Sequence, residues 1–179
     1  TNAALLPLVA FGLPLSVGAV VTMNKISTDV QSVITNAGQI KAQSGNIRVT
    51  AGDDSSIDSV VYASALAITG GTSTSKSISI AFSSSRNQIH NDVRAYIAAS
   101  GTVSEPVNAS GGYVLVKATK NASIDATATA TAVAVAASFG SGNLAVSGGG
   151  TLAFNTILGR DNAYIADSAV VAGGDVTLQ

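Results

Sequence analysis

One cassette recurs three times along the chain: Asn24-Lys-Ile-Ser-Thr-Asp-Val-Gln-Ser-Val-Ile34, Asn87-Gln-Ile-His-Asn-Asp-Val-Arg-Ala-Tyr-Ile97 and Asn155-Thr-Ile-Leu-Gly-Arg-Asp-Asn-Ala-Tyr-Ile165. Each opens Asn-x-Ile and closes on an Ile at the same spacing, marking Asn24, Asn87, Asn155, Ile34, Ile97, Ile165, Tyr96 and Tyr164 as structural repeat positions. The copies begin 63 and then 68 residues apart, so the period is loose and loops absorb the difference. Self-similarity of this kind restricts the fold more than any composition does, because a repeat buries its apolar face only by stacking on its neighbours. A turn and a short strand follow each cassette, at Gly45–Ala51, Gly112–Ala118 and Gly174–Leu178, and Ser56-Ile-Asp58 is echoed by Ser123-Ile-Asp125. Repeat boundaries are placed near residues 23, 86 and 155 of a single solenoid segment spanning 1–179.

Between these landmarks the pattern has period two, which strands require and helices forbid. From Ile124 one face reads Ile, Ala, Ala, Ala, Ala, Ala, Ala through Ala136, while the other carries Asp125, Thr127, Thr129, Thr131, Val133 and Val135. The copy 67 residues upstream sets Ile57, Ser59, Val61, Ala63, Ala65 and Ala67 against Asp58, Val60, Tyr62, Ser64, Leu66 and Ile68. Both segments are expected to be strands on matching sides of a stack, with Ala128, Ala130, Ala132 and Ala134 buried. Gly and Ser clusters, among them Gly70-Gly71, Ser83-Ser84-Ser85, Gly140-Ser-Gly142 and Gly148-Gly-Gly150, read as turns.

Composition agrees with thin layers rather than a thick core. Hydrophobic residues make up 46% of the 179, but aromatics only 4% and charged residues 11%. Small side chains at this density suit closely stacked strands. A mean hydropathy of +0.41 disfavours disorder. With 9 Lys+Arg and a net charge of −1 there is no basic surface to neutralise phosphates, so nucleic-acid binding is not expected. The absence of Cys removes zinc ribbons, thiol nucleophiles and disulfides. Ala3 to Val21 is apolar, yet it lacks a basic leader and carries Pro7 and Pro14, so no membrane span is assigned. The chain reads as entering in the middle of one repeat and leaving in the middle of another, as a piece of a longer array would.

The cassette Asn-x-Ile-x(5)-Ala-Tyr-Ile, a Gly-Gly turn and an alternating Val/Thr/Ala strand with Ala-Ser-Ile-Asp-Ala resemble the repeats of very large secreted or surface-attached bacterial proteins. These are the leukotoxin-like and filamentous-adhesin-like chains. The first copy departs from the pattern, with Ser32-Val33 where the others have Ala-Tyr, and Arg160 stands where the others have Asp29 and Asp92. The resemblance implies a parallel β-solenoid and a long extracellular fibre for adhesion or envelope structure, and it supplies no catalytic residues.

Individual residues carry weaker signals than the repeat. His90 lies two residues from Asp92, but its counterparts are Ser27 and Leu158, so no Ser-His-Asp geometry is held and a solvated turn histidine is preferred. Asp53-Asp54 has the residue types of a glycosidase pair or a calcium clamp, but Lys120 and Asn121 replace it in the next copy, and a solvated turn is preferred. Thr127, Thr129 and Thr131 invite an ice-binding reading, which the aligned Val60, Tyr62 and Ser64 do not continue. A GxGxxG nucleotide site lacks its helix, and the nonapeptide calcium repeat is absent. The Asn positions are best read as a ladder of side-chain amides between stacked coils.

The sequence therefore points to an all-β, parallel β-solenoid, right-handed by the general crossover preference. Each repeat of about 65 residues is either three ordinary coils or fewer, wider ones. The expected function is that of a non-enzymatic structural or adhesive module of an extracellular bacterial fibre, with no cofactor or metal. Its expected partners are adjacent repeats, copies of itself, and a host or neighbouring-cell surface. The alternative is a β-helical polysaccharide-acting enzyme or carbohydrate-binding domain.

Overall fold

A computed structural model describes residues 2–10, 14–140 and 142–179. Among the described residues ten strands follow one another: β1 (Asn2–Ala10), β2 (Leu15–Thr35), β3 (Ile40–Lys41), β4 (Ile47–Gly71), β5 (Lys76–Ala98), β6 (Val107–Ala109), β7 (Val114–Ser138), β8 (Leu144–Ala166), β9 (Val170–Ala172) and β10 (Val176–Leu178). They form three sheets in the orders β1-β4-β7-β10, β2-β5-β8 and β3-β6-β9. Pairing is parallel, with Asn2 on Val61, Val107 on Val170 and Val176 on Val114. The fold is an all-β parallel β-solenoid. The chain visits each sheet once before returning to the first, so one rung is a wide coil of two long strands and one short one. The segments Ile57–Thr69 and Ile124–Ala136 are strands of the same sheet.

Strands of 21 to 25 residues are far longer than the usual five or six. The short strands expected at 47–51 and 114–118 are the beginnings of β4 and β7. Two further expectations are corrected for the same reason. Ser83-Ser84-Ser85 and Gly148-Gly-Gly150 lie inside β5 and β8 rather than in turns. Ser83 and Ser85 are fully buried, and a Cβ on Gly149 would come within 2.9 Å of the Ala130 backbone oxygen. At Gly149 and along the serine run, small residues mark close approach inside a strand and not a turn. Gly140 and Gly142 lie between β7 and β8, and the expected turn falls on Ser141, outside the described residues.

The chain divides into two compact units, and the long strands contribute to both. Unit 1 comprises 1–25, 57–88 and 124–156. Its interior is almost without large side chains: Ala63, Ala65 and Ala67 on β4 are 2%, 2% and 0% exposed, and β5 brings buried Ser77, Ser79, Ala81, Ser83, Ser85 and Asn87. Ala128, Ala130, Ala132 and Ala134 follow the same alternation on β7 but are only half-buried, not buried as expected. No described strand lies over this stretch of β7, whereas β4 has a neighbour on each side.

Unit 2 comprises 26–56, 89–123 and 157–179 and holds the apolar core. Ile47, Val49, Val93, Ile97, Val107, Val114 and Val116 are buried together, with Val30, Ile34 and Ile165 packed against them. Burying one such side chain contributes roughly 1.5–3 kcal/mol. A left-handed residue follows each cassette strand, at Asn36 (φ 51°), Ala99 (φ 49°) and Asp167 (φ 46°). The next residues form a ladder of their own: the Ala37 N–H donates to the Ser100 hydroxyl, and the Ser100 N–H donates to Ser168.

Candidate functional site

The residues with distinctive chemistry are organised by register. In unit 1, Asn24, Asn87 and Asn155 occupy successive strands β2, β5 and β8. The Asn24 amide donates to the Asn87 side-chain oxygen at 2.8 Å, and the Asn87 amide donates to Asn155 at 2.9 Å. Asn87 is fully buried and also donates to Ser85, whose hydroxyl meets that of Ser59 at 2.9 Å. Burial without these partners would cost about 1–3 kcal/mol per polar group, so the interior tolerates this amide only because the ladder satisfies it.

Unit 2 carries the ionic counterpart on the outer face of the same strands. Arg94 reaches Asp29 at 2.9 Å, and Arg160 grips Asp92 through two bonds of 3.2 and 3.1 Å. The Arg160 hydrogen bond holds the Asp92 carboxyl below its ordinary value, and the same contact raises the Arg160 guanidinium. Tyr96 and Tyr164 stack with ring centres 4.7 Å apart and planes 4° from parallel. Ile97 is fully buried, and Ile34 and Ile165 pack against the core around it.

Other candidates are placed differently from expectation. Asp53 and Asp54 lie within β4, not in a turn, and as neighbours on a strand they point to opposite faces. The Asp53 carboxylate faces inward and accepts from Thr28, Ser55 and Asn91. Asp54 faces out and accepts from Asn121. Two carboxyls divided in this way cannot flank one glycosidic bond. His90 also lies on a strand, exposed on the outer face of β5, and not in a turn. A Cβ on Gly159 would come within 2.8 Å of the Lys120 side chain, so this glycine leaves room for an inward lysine.

Two surfaces escaped the sequence reading. In unit 1 only Lys25, Asp58, Lys76, Arg86 and Asp125 are charged. The outer face of β2, β5 and β8 there exposes Val21, Met23, Ile80, Phe82, Leu152 and Phe154, with Met23 at 74%. The signal was present in the alternation, which places apolar residues on both faces of these strands. In unit 2 an open groove of about 590 Å³ lies along stacked glycine turns, lined by Asn46, Gly112, Tyr113, Gly174 and Asp175 among others. Among the described residues no helix is long and apolar enough to cross a membrane. No family model, curated protein or solved structure matches the chain.

Proposed function

We propose that the chain is a structural and adhesive module of an extracellular bacterial fibre or giant surface protein, self-associating through its strand edges and carrying out no enzymatic chemistry. One observation carries this reading: the distinctive polar and aromatic side chains connect one rung to the next. The Asn, Arg–Asp and Tyr contacts all follow this rule. Such ladders stabilise a stack and present nothing to a substrate. The exposed apolar face of unit 1 supports the adhesive part, since contiguous apolar surface marks contact with other macromolecules. The likeness of the cassettes to repeats of large bacterial surface proteins agrees with it.

Light scattering and negative-stain electron microscopy test the proposal. Particles that lengthen as concentration rises are expected, and a chain that stays monomeric at millimolar concentration overturns self-association. The glycine-turn groove favours a second reading, carbohydrate binding, because Tyr113 and Asn46 offer the flat and polar contacts a sugar uses. Saturable binding of an acidic polysaccharide, abolished by Tyr113→Ala, would establish it.

A further inference from the structure

The few charges of unit 1 are sorted by sign between its two outer faces. Lys25 on β2 and Lys76 and Arg86 on β5 are exposed on the outer face of the β2-β5-β8 sheet, which carries no acid in this unit. Asp58 on β4 and Asp125 on β7 are exposed on the outer face of the other sheet, which carries no base there. Among the described residues none of the five is in an ion pair, whereas in unit 2 Asp29 and Asp92 on the same β2-β5-β8 sheet each hold an arginine.

The opposite signs also stand at one level along the strands. Across the interior the Asn24 amide donates to the Ser59 hydroxyl at 3.3 Å, and the Ser59 and Ser85 hydroxyls meet at 2.9 Å. Successive residues of a strand point to opposite faces, so Lys25, Asp58 and Arg86, each one residue from these inward contacts, lie back to back at that level. Asp125 is the counterpart of Asp58 on the neighbouring strand, at the 67-residue offset that also joins Asn121 to Asp54. Around the charges both faces are apolar: Val21 and Met23 are exposed on one, and Tyr62, Val133 and Val135 on the other. On the cationic face Met23, Ser84, Arg86 and Phe154 line a depression of about 430 Å³, which a side chain from a facing sheet can enter.

We infer that the cationic apolar face of unit 1 docks on the anionic apolar face of unit 1 in a second copy of this chain, the copies lying side by side in one orientation with Lys25 and Arg86 against Asp58 and Asp125. Charge selects this occupant, because pairing either face with its own kind would oppose like charges across the contact. Sheets that pack face to face lie about 10 Å apart, close enough for the facing side chains to touch. The inference rests on the self-association proposed above and adds to its strand edges a contact through sheet faces. Two different surfaces meet in it, so it does not close on itself and propagates sideways.

Cross-linking decides the matter, because the chain has no cysteine of its own. Val60 on β4 and Ser84 on β5 are half-buried on the two outer faces, each one residue from the Ser59–Ser85 contact. Within one copy they point away from each other, and stacking through strand edges leaves them on opposite faces. Only the face-to-face contact brings them together. Val60→Cys and Ser84→Cys should leave the fold intact, as circular dichroism would verify. A short thiol-to-thiol cross-linker is expected to give a covalent dimer from the mixed variants and none from either alone. Adding Lys25→Glu and Arg86→Glu to the Ser84→Cys chain should abolish that dimer, and adding Asp58→Lys and Asp125→Lys to the Val60→Cys chain should restore it. Assembly of the wild type without the mixed dimer, a dimer of Ser84→Cys with itself, or a failure of the second charge reversal to restore the dimer overturns the face-to-face contact while self-association stands. Binding of the wild type to phosphatidylglycerol vesicles without the mixed dimer overturns it too, and gives the cationic face to a lipid surface. Absence of any assembly of the wild type overturns both.

Discussion

Truncating the fully buried Asn87 to Ala would take one of two acceptors from the half-buried Asn24, leaving it Ser59, and would remove a partner of Ser85 and the donor to the Asn155 oxygen. A loss of about 1–3 kcal/mol in urea unfolding is expected, with a smaller loss for Asn155→Ala at the exposed end of the ladder. Ala99 offers the opposite opportunity. Its φ of 49° is one that L-residues other than Asn and Asp rarely adopt, and the equivalent positions are Asn36 and Asp167. Ala99→Gly removes a strain of about 1 kcal/mol, partly offset by the freedom glycine adds to the unfolded chain, so a small rise in Tm is expected. The Arg160–Asp92 pair has a definite pH sign. Asp92 is depressed below its ordinary 3.8, so the pair stabilises fully above that value and its contribution fades as pH falls through the lowered pKa. The stability difference between the wild type and Arg160→Gln should therefore be fully present at pH 6 and shrink progressively as the pH is lowered below 3.8. A difference that does not change with pH would mean that Arg160 acts by packing.

At the scale of the strand, burial depends on the position of the rung as much as on the residue. Ala63 on β4 has a strand on each side, whereas Ala130 at the matching place on β7 does not. Ala63→Leu should overpack the thin interior by roughly 1–3 kcal/mol, and Ala130→Leu should cost clearly less, as parallel thermal melts would show. The alternation at Ile57–Thr69 and Ile124–Ala136 was legible in the sequence because period two is a local property of strands. The joining of Ile47–Ala51 to that alternation in one strand was not, since Gly52, Asp53 and Asp54 carry the composition of a turn. Asp53 stays in the strand because Thr28, Ser55 and Asn91 satisfy its carboxylate from both sheets, a contact between segments distant in sequence. Gly148–Gly150 misled for a related reason. A glycine needed for close approach and one needed for a turn look alike until the opposing backbone, here that of Ala130, is known.

At the scale of the molecule, the recurrence of Asn24, Asn87 and Asn155 indicated both stacking and its register, because one ladder position per rung fixes how rungs align. Coil width was not legible, since loop lengths of the repeat fit several coil sizes equally well. The charge-poor unit 1 and the charged unit 2 emerged only when residues far apart in sequence were brought together. Diffraction from aligned assemblies of the chain tests the central claim most directly, namely that folded wide rungs stack in register from copy to copy. Three cassette strands per copy at about 4.8 Å each predict a strong axial reflection near 4.8 Å together with a subunit repeat of about 14 Å. A 4.8 Å reflection without the 14 Å repeat would contradict the account, because it would mean that the chains assemble by refolding into a uniform cross-β array in which the rungs of this fold are lost.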